Sequence, residues 1–144
     1  CSRRRNGANI LMSLIDKPFI QIDPNDIPRA SLPVIATNPH TGKSISVYGI
    51  IDTGADECAF PASFADLMGH NLQSGEPKEI RTGNGTTMAY SHTVTMNVDG
   101  YIIENVLIDF LPNLHVVLLG VRSFLSNFIL KIDYPGQNFS LILE

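Results

Sequence analysis

Ile50-Ile51-Asp52-Thr53-Gly54-Ala55-Asp56 takes the chain from an apolar run straight into a carboxylate, a hydroxyl and a glycine. A charge set against a core strand has to be held by hydrogen bonds, which makes such an arrangement costly to build. Two readings are open at this point. The stretch is either a strand end whose Asp-Thr-Gly turns the chain, or a carboxylate placed for chemistry. The residues around it decide between the two.

Upstream, Ile45, Val47 and Ile51 share one face at a spacing of two, which predicts a strand over residues 44–51. Residues 32–37 form its natural partner across Asn38-Pro39-His40-Thr41-Gly42-Lys43, and this hairpin delivers Asp52 to its end. Downstream, the spacing predicts a short helix with Pro61 at its first position and Gly69 just beyond its end. Phe60, Phe64, Leu67 and Met68 are expected to pack inward from it. Residues 78–82 and 86–98 then flank Gly83-Asn84-Gly85 as a long hairpin with a glycine-rich tip. In its second strand Met88, Tyr90, His92, Val94, Met96 and Val98 occupy one face, while Ala89, Ser91, Thr93, Thr95 and Asn97 occupy the other.

Asp99-Gly100 is a two-residue hairpin turn into a strand over 101–110, which Pro112 terminates. Residues 114–119 are apolar on both faces apart from His115, as a central strand is, and Gly120 ends them. Residues 122–127 allow one helical turn. Phe128, Leu130, Ile132 and Tyr134 alternate again, Pro135-Gly136 turns the chain, and 139–143 form the last strand. At the other end, residues 1–17 are expected as a tail or linker, residues 18–144 as the domain, and 19–22 as a short strand. The sum is an all-β architecture of barrel or sandwich type with one or two small helices.

The 144 residues suffice for one domain with its own core but not for two full lobes. A net charge of −4 with one basic run, Arg3-Arg4-Arg5, gives no electrostatic footprint for nucleic acid. No apolar stretch reaches the length of a membrane span. The chain starts at Cys1 without an initiator Met, so a leader or anchor upstream would be invisible in it. Cys1 and Cys58 are too few and too far apart for a zinc pattern, and His40, His70, His92 and His115 form no ligand motif, so neither a metal nor another cofactor is expected. Gly83-Asn84-Gly85 lacks the third glycine and the following helix of a dinucleotide fingerprint. With no Gly-x-Ser-x-Gly elbow and no His beside Cys58, covalent catalysis has little support. Asp52 is left as the one candidate catalytic group.

The 50–56 stretch, the glycine-tipped hairpin at 83–85, and the late Val117-Leu118-Leu119-Gly120 followed by a helical turn together resemble the retropepsin-like aspartic proteases, in order and spacing, over roughly residues 30–144. That resemblance implies a small closed β-barrel, a β-hairpin flap over a substrate cleft, and an active homodimer whose interface sheet draws on residues 19–22 and 139–143. Aspartic proteolysis uses two carboxylates sharing one proton, because like charges that close cannot both ionise. This chain holds a single Asp-Thr-Gly, so the second carboxylate must come from a two-fold mate. By resemblance, Asp52, Thr53 and Gly54 are the catalytic loop, with Thr53 locking the two loops across the axis. Ala55, Asp56, Thr82, Gly83, Asn84, Gly85 and Leu118 are then the contacts for an extended polypeptide. Gly120-Val121-Arg122-Ser123-Phe124 departs from the family's usual order after the late glycine, which leaves the partner of Asp56 open. The competing class is a catalytically silent dimeric module of the same fold, used for binding or assembly; the intact Asp-Thr-Gly-Ala argues against it, since a binding module has no need of that carboxylate.

Overall fold

The computed structural model describes residues 4–5, 8–9, 12–82 and 85–143. Its strands are β1 (Arg4–Arg5), β2 (Ala8–Asn9), β3 (Met12–Pro18), β4 (Ser31–Thr37), β5 (Ser44–Ile51), β6 (Cys58–Pro61), β7 (Glu76–Thr82), β8 (Gly85–Val98), β9 (Tyr101–Leu111), β10 (Val117–Leu119), β11 (Ile129–Asp133) and β12 (Asn138–Leu143). One helical turn, α1 (Phe64–Leu67), and two 3-10 turns complete the described elements.

Seven strands form one sheet in the order β4-β5-β10-β6-β9-β8-β7. Because β4 also pairs with β8, the six strands from β4 to β8 close on themselves, and β7 continues beyond β8 as an edge. The result is a closed all-β barrel with almost no helix. Alternation fills its interior: Leu32, Val34 and Ala36 from β4, Val94, Met96 and Val98 from β8, and Val106, Ile108 and Phe110 from β9 are buried, together with Phe60 and Leu119.

The β4–β5 hairpin forms in the expected register, from Ser31 opposite Ile50 to Thr37 opposite Ser44. Asp99 and Gly100 turn the chain between β8 and β9 with φ of 52° and 89°, the left-handed pair that a tight hairpin demands. The expected face of β8 holds over Val94, Met96 and Val98, but toward the tip it inverts: Met88 is exposed and Ala89 is fully buried. A register shift in the β8–β9 ladder falls between Val94 and Met96, inside the half where the expected face holds.

Four expectations need correction. Residues 12–17 are not tail, because β3 pairs antiparallel with β12, which pairs in turn with β11 in a separate three-stranded sheet. Residues 19–22 form no strand of that sheet; Ile20 makes a lone bridge to Arg29, and Phe19 N–H donates to the Gln137 carbonyl at 2.7 Å. Pro61 ends strand β6 opposite Leu111 and does not start a helix, a strand terminus being one place a missing N–H is tolerated. Leu67 is 62% exposed, since a single turn is too short to bury a continuous apolar stripe.

His70, in the connection from α1 to β7, packs against His92 of β8 at the base of the β7–β8 hairpin. The His70 and His92 rings lie with centroids 4.5 Å apart, each 5.5 Å from the Phe110 ring. His70 is 8% exposed and its Nε2 has no hydrogen-bond partner. Burial, then the neighbouring His92 and His40, hold its pKa below the ordinary histidine value. The unfolded chain therefore takes up this proton first as pH falls, and stability is lost on acidification from about pH 6.5 downward. Urea midpoints at pH 7.5 and 5.5 are expected to separate clearly for wild type and to converge for His70→Phe.

Candidate active site

The order of strands builds the site. β5 and β6 follow one another in sequence but are not neighbours, because β10 lies between them, parallel to β5 and antiparallel to β6. Residues 52–57, which join β5 to β6, must therefore arch over the C-terminal end of β10. Leu119 pairs with Ile51, so Asp52 and Gly120 leave the sheet side by side.

Hydrogen bonds fasten the arch. Ile51 N–H donates to the Ala30 carbonyl at 2.8 Å, and Asp52 N–H to the Leu119 carbonyl at 3.0 Å. From the other side, Val121 N–H donates to Ala55 O at 2.9 Å and Arg122 N–H to Asp56 O at 2.8 Å. Within the loop, Gly54 N–H donates to Asp52 Oδ1 at 3.0 Å, and Ala55 N–H to Asp52 O at 3.2 Å. The carboxylate is thus oriented by its own turn while half-exposed. A Cβ at position 54 would stand 3.3 Å from Asp52 Oδ1 and crowd it. At Gly120 a Cβ would overlap the Glu57 carbonyl oxygen, because β10 passes directly beneath the arch there.

Thr53, Gly54 and Asp56 are exposed and Ala55 is half-buried. Leu118 is half-buried in β10 between Ile50 and Ala59, facing away from the buried Leu119. Thr82 and Gly85 face each other at the end of the β7–β8 hairpin. Gly85 has φ of 112°, a conformation side-chain-bearing residues rarely adopt. Gly83 and Asn84 lie outside the described residues.

Three features of the site escaped the sequence. Glu57 is 9% exposed and its Oε2 lies 3.6 Å from the Arg122 guanidinium, so the cation after the late glycine reaches Glu57 while its backbone serves Asp56. Glu57 Oε1 has no hydrogen-bond partner. Cys58 is fully buried, its sulfur accepts from Gly120 N–H at 3.4 Å, and burial pushes its thiol up to about 12, so it stays neutral. Ser123 Oγ accepts from Leu107 N–H at 3.0 Å and ties the turn after β10 to β9. Each depends on which strands are neighbours, a fact without a local signature. Among the described residues no group of three or more His, Cys, Asp or Glu side chains is placed to hold a metal ion, and no helix is long and apolar enough to cross a membrane.

The closed barrel with its extended hairpin has the retropepsin fold. The retropepsin-like aspartic protease from Rickettsia conorii superposes with a TM-score of 0.59 at 22% identity, over 82% of this chain and 97% of that one. Residues 42–127, more than half of the chain, match the family described as "gag-polyprotein putative aspartyl protease". The chain belongs to that family. A protein of Soybean chlorotic mottle virus, named Uncharacterized protein 7, is 36% identical over an alignment 88 residues long that covers 58% of this chain. The match spans 56% of the viral protein, little more than half its length.

Proposed function

We propose that the protein is an aspartic endopeptidase that acts as a homodimer. The observation that carries this reading is the Asp52 loop: a half-exposed carboxylate, oriented by the Gly54 N–H and fastened to Leu119 of β10 on one side and to Val121 and Arg122 on the other, present once per chain. Two such loops meeting at a two-fold axis give a pair of carboxylates with one proton between them. The ionised Asp52 takes a proton from a water, whose oxygen attacks the scissile carbonyl, and the protonated Asp52 of the mate polarises that carbonyl; a carboxyl proton then passes to the leaving nitrogen.

Thr53 holds the two loops together across the axis, and Gly54 leaves room beside the dyad. Ala55, Asp56 and Leu118 line the cleft for an extended polypeptide, over which Thr82, Gly83, Asn84 and Gly85 close as a flap, adding strand-like hydrogen bonds and excluding water. β12 is already paired on both sides within its own chain, whereas β3 is paired on one side only among the described residues. Among the described residues the edges of β3 and β11 are the two that this sheet leaves open to a mate's strand.

Dilution tests the dimer. Cleavage of an unstructured protein, per mass of enzyme, is expected to be constant at high concentration and to collapse where light scattering shows the mass falling from two chains to one. Undiminished cleavage by a single chain would sink the shared dyad.

A further inference from the structure

The β7–β8 hairpin carries a buried charge at its base. Asp109 of β9 is 5% exposed, and it accepts from Lys78 Nζ of β7 at 2.9 Å and from Ser91 Oγ of β8 at 2.7 Å. Ser91 stands directly opposite Asp109 across the β8–β9 ladder, but Lys78 stands opposite Ala89. Paired residues of an antiparallel ladder project to the same side, so Lys78, Ala89, Ser91 and Asp109 share one face. The path from Lys78 to Asp109 crosses β8 at Ala89, the residue whose burial inverts the expected face of that strand. A large side chain at position 89 would block the crossing.

β7 is an edge strand whose only ladder partner among the described strands is β8. Backbone pairing alone would leave it free to swing with β8. The Lys78–Asp109 ion pair skips a strand and ties the outer arm of the hairpin to the barrel wall. Asp109 in turn pairs with Ala59 of β6, the strand that leaves the Asp52 arch. Lys78 is half-exposed and Asp109 is buried, so losing either cation or hydroxyl leaves the carboxylate with too few partners out of water.

We propose that Asp109 is a positioning residue: through Lys78 and Ser91 it fixes the angle at which the β7–β8 hairpin stands over the Asp52 loop, and so sets the affinity for an extended peptide. The proposal rests on the reading of that hairpin as a flap.

The test compares wild type, Lys78→Met, Lys78→Arg and Ser91→Ala as full chains, by amide hydrogen exchange without substrate and by steady-state cleavage of a peptide. In Lys78→Met, exchange in β7 and the first half of β8 is expected to speed up about tenfold while β4 and β5 stay within about twofold. KM is expected to rise about tenfold with kcat nearly unchanged, since closure over substrate and not the chemistry has been weakened. Lys78→Arg restores both, and Ser91→Ala shows the same pattern at smaller amplitude should Lys78→Met fail to fold. Exchange that rises evenly through the barrel, or stays unchanged at the hairpin, overturns the proposal, as does an unaltered KM in a cleaving enzyme. A wild type that cleaves nothing overturns the protease reading; hydrogen exchange, which needs no activity, then decides the Asp109 tie separately.

Discussion

Asp52→Asn is expected to abolish proteolysis, lowering kcat by roughly 10²–10⁴ or more, while the barrel and the dimer survive. The substitution keeps the size of the side chain and an oxygen for the Gly54 N–H, which now donates to Asp52 Oδ1 at 3.0 Å. What it removes is the ability to take a proton from water. Because each dimer needs two carboxyls, the variant is also expected to poison wild type. In an equal mixture with random reassortment, about half of the wild-type chains sit opposite a dead partner, so activity falls to about half. Cleavage assays on reassorted mixtures, with light scattering in parallel, check both parts. Full activity in Asp52→Asn would point to a catalytic group elsewhere, mixtures without inhibition to a chain that cleaves without its mate's carboxylate, and a wild type that cleaves nothing to a non-catalytic binding module.

Gly120→Ala is expected to be the most damaging small substitution outside Asp52. Its Cβ would overlap the Glu57 carbonyl and stand 2.9 Å from the Ala55 carbonyl oxygen, both backbone atoms of the arch that carries Asp52. Backbone on two sides cannot rotate out of the way as a side chain can, so β10 or the arch must move. The loss of stability is expected to be about 1–3 kcal/mol, the usual cost of overpacking, read as a lower urea midpoint. Activity is expected to fall further than stability, because any movement that relieves the overlap displaces the Asp52 N–H from the Leu119 carbonyl, now 3.0 Å away. Gly100→Ala is the control: nothing lies within 4 Å of a Cβ there, so it strains only its own turn.

The legible parts of the fold were those written in short-range pattern. Alternation over 44–51, the turn residues between β4 and β5, and Asp99-Gly100 each carry their structure within a few residues. Asp52 stood out for the same reason, as a carboxylate at the end of an apolar run. The errors fell where pairing partners are remote. β3 was invisible because its partner, β12, lies at the opposite end of the chain. Pro61 suits a helix start as well as a strand end, and only its place opposite Leu111 decides. The inversion at Met88 and Ala89 follows from a lysine crossing from the neighbouring strand, which the period of β8 alone does not contain.

The sequence by itself determined an all-β chain of one domain, its main hairpins, and the single Asp-Thr-Gly that carries the functional reading, because side-chain alternation and turn chemistry are local properties. Only the tertiary structure decided that β10 inserts between β5 and β6, that residues 52–57 must therefore arch over Gly120, and that Asp109 holds Lys78 and Ser91. The physical reason is that strand order is set by long-range closure of the barrel around its buried side chains, and closure brings together residues that no local period relates.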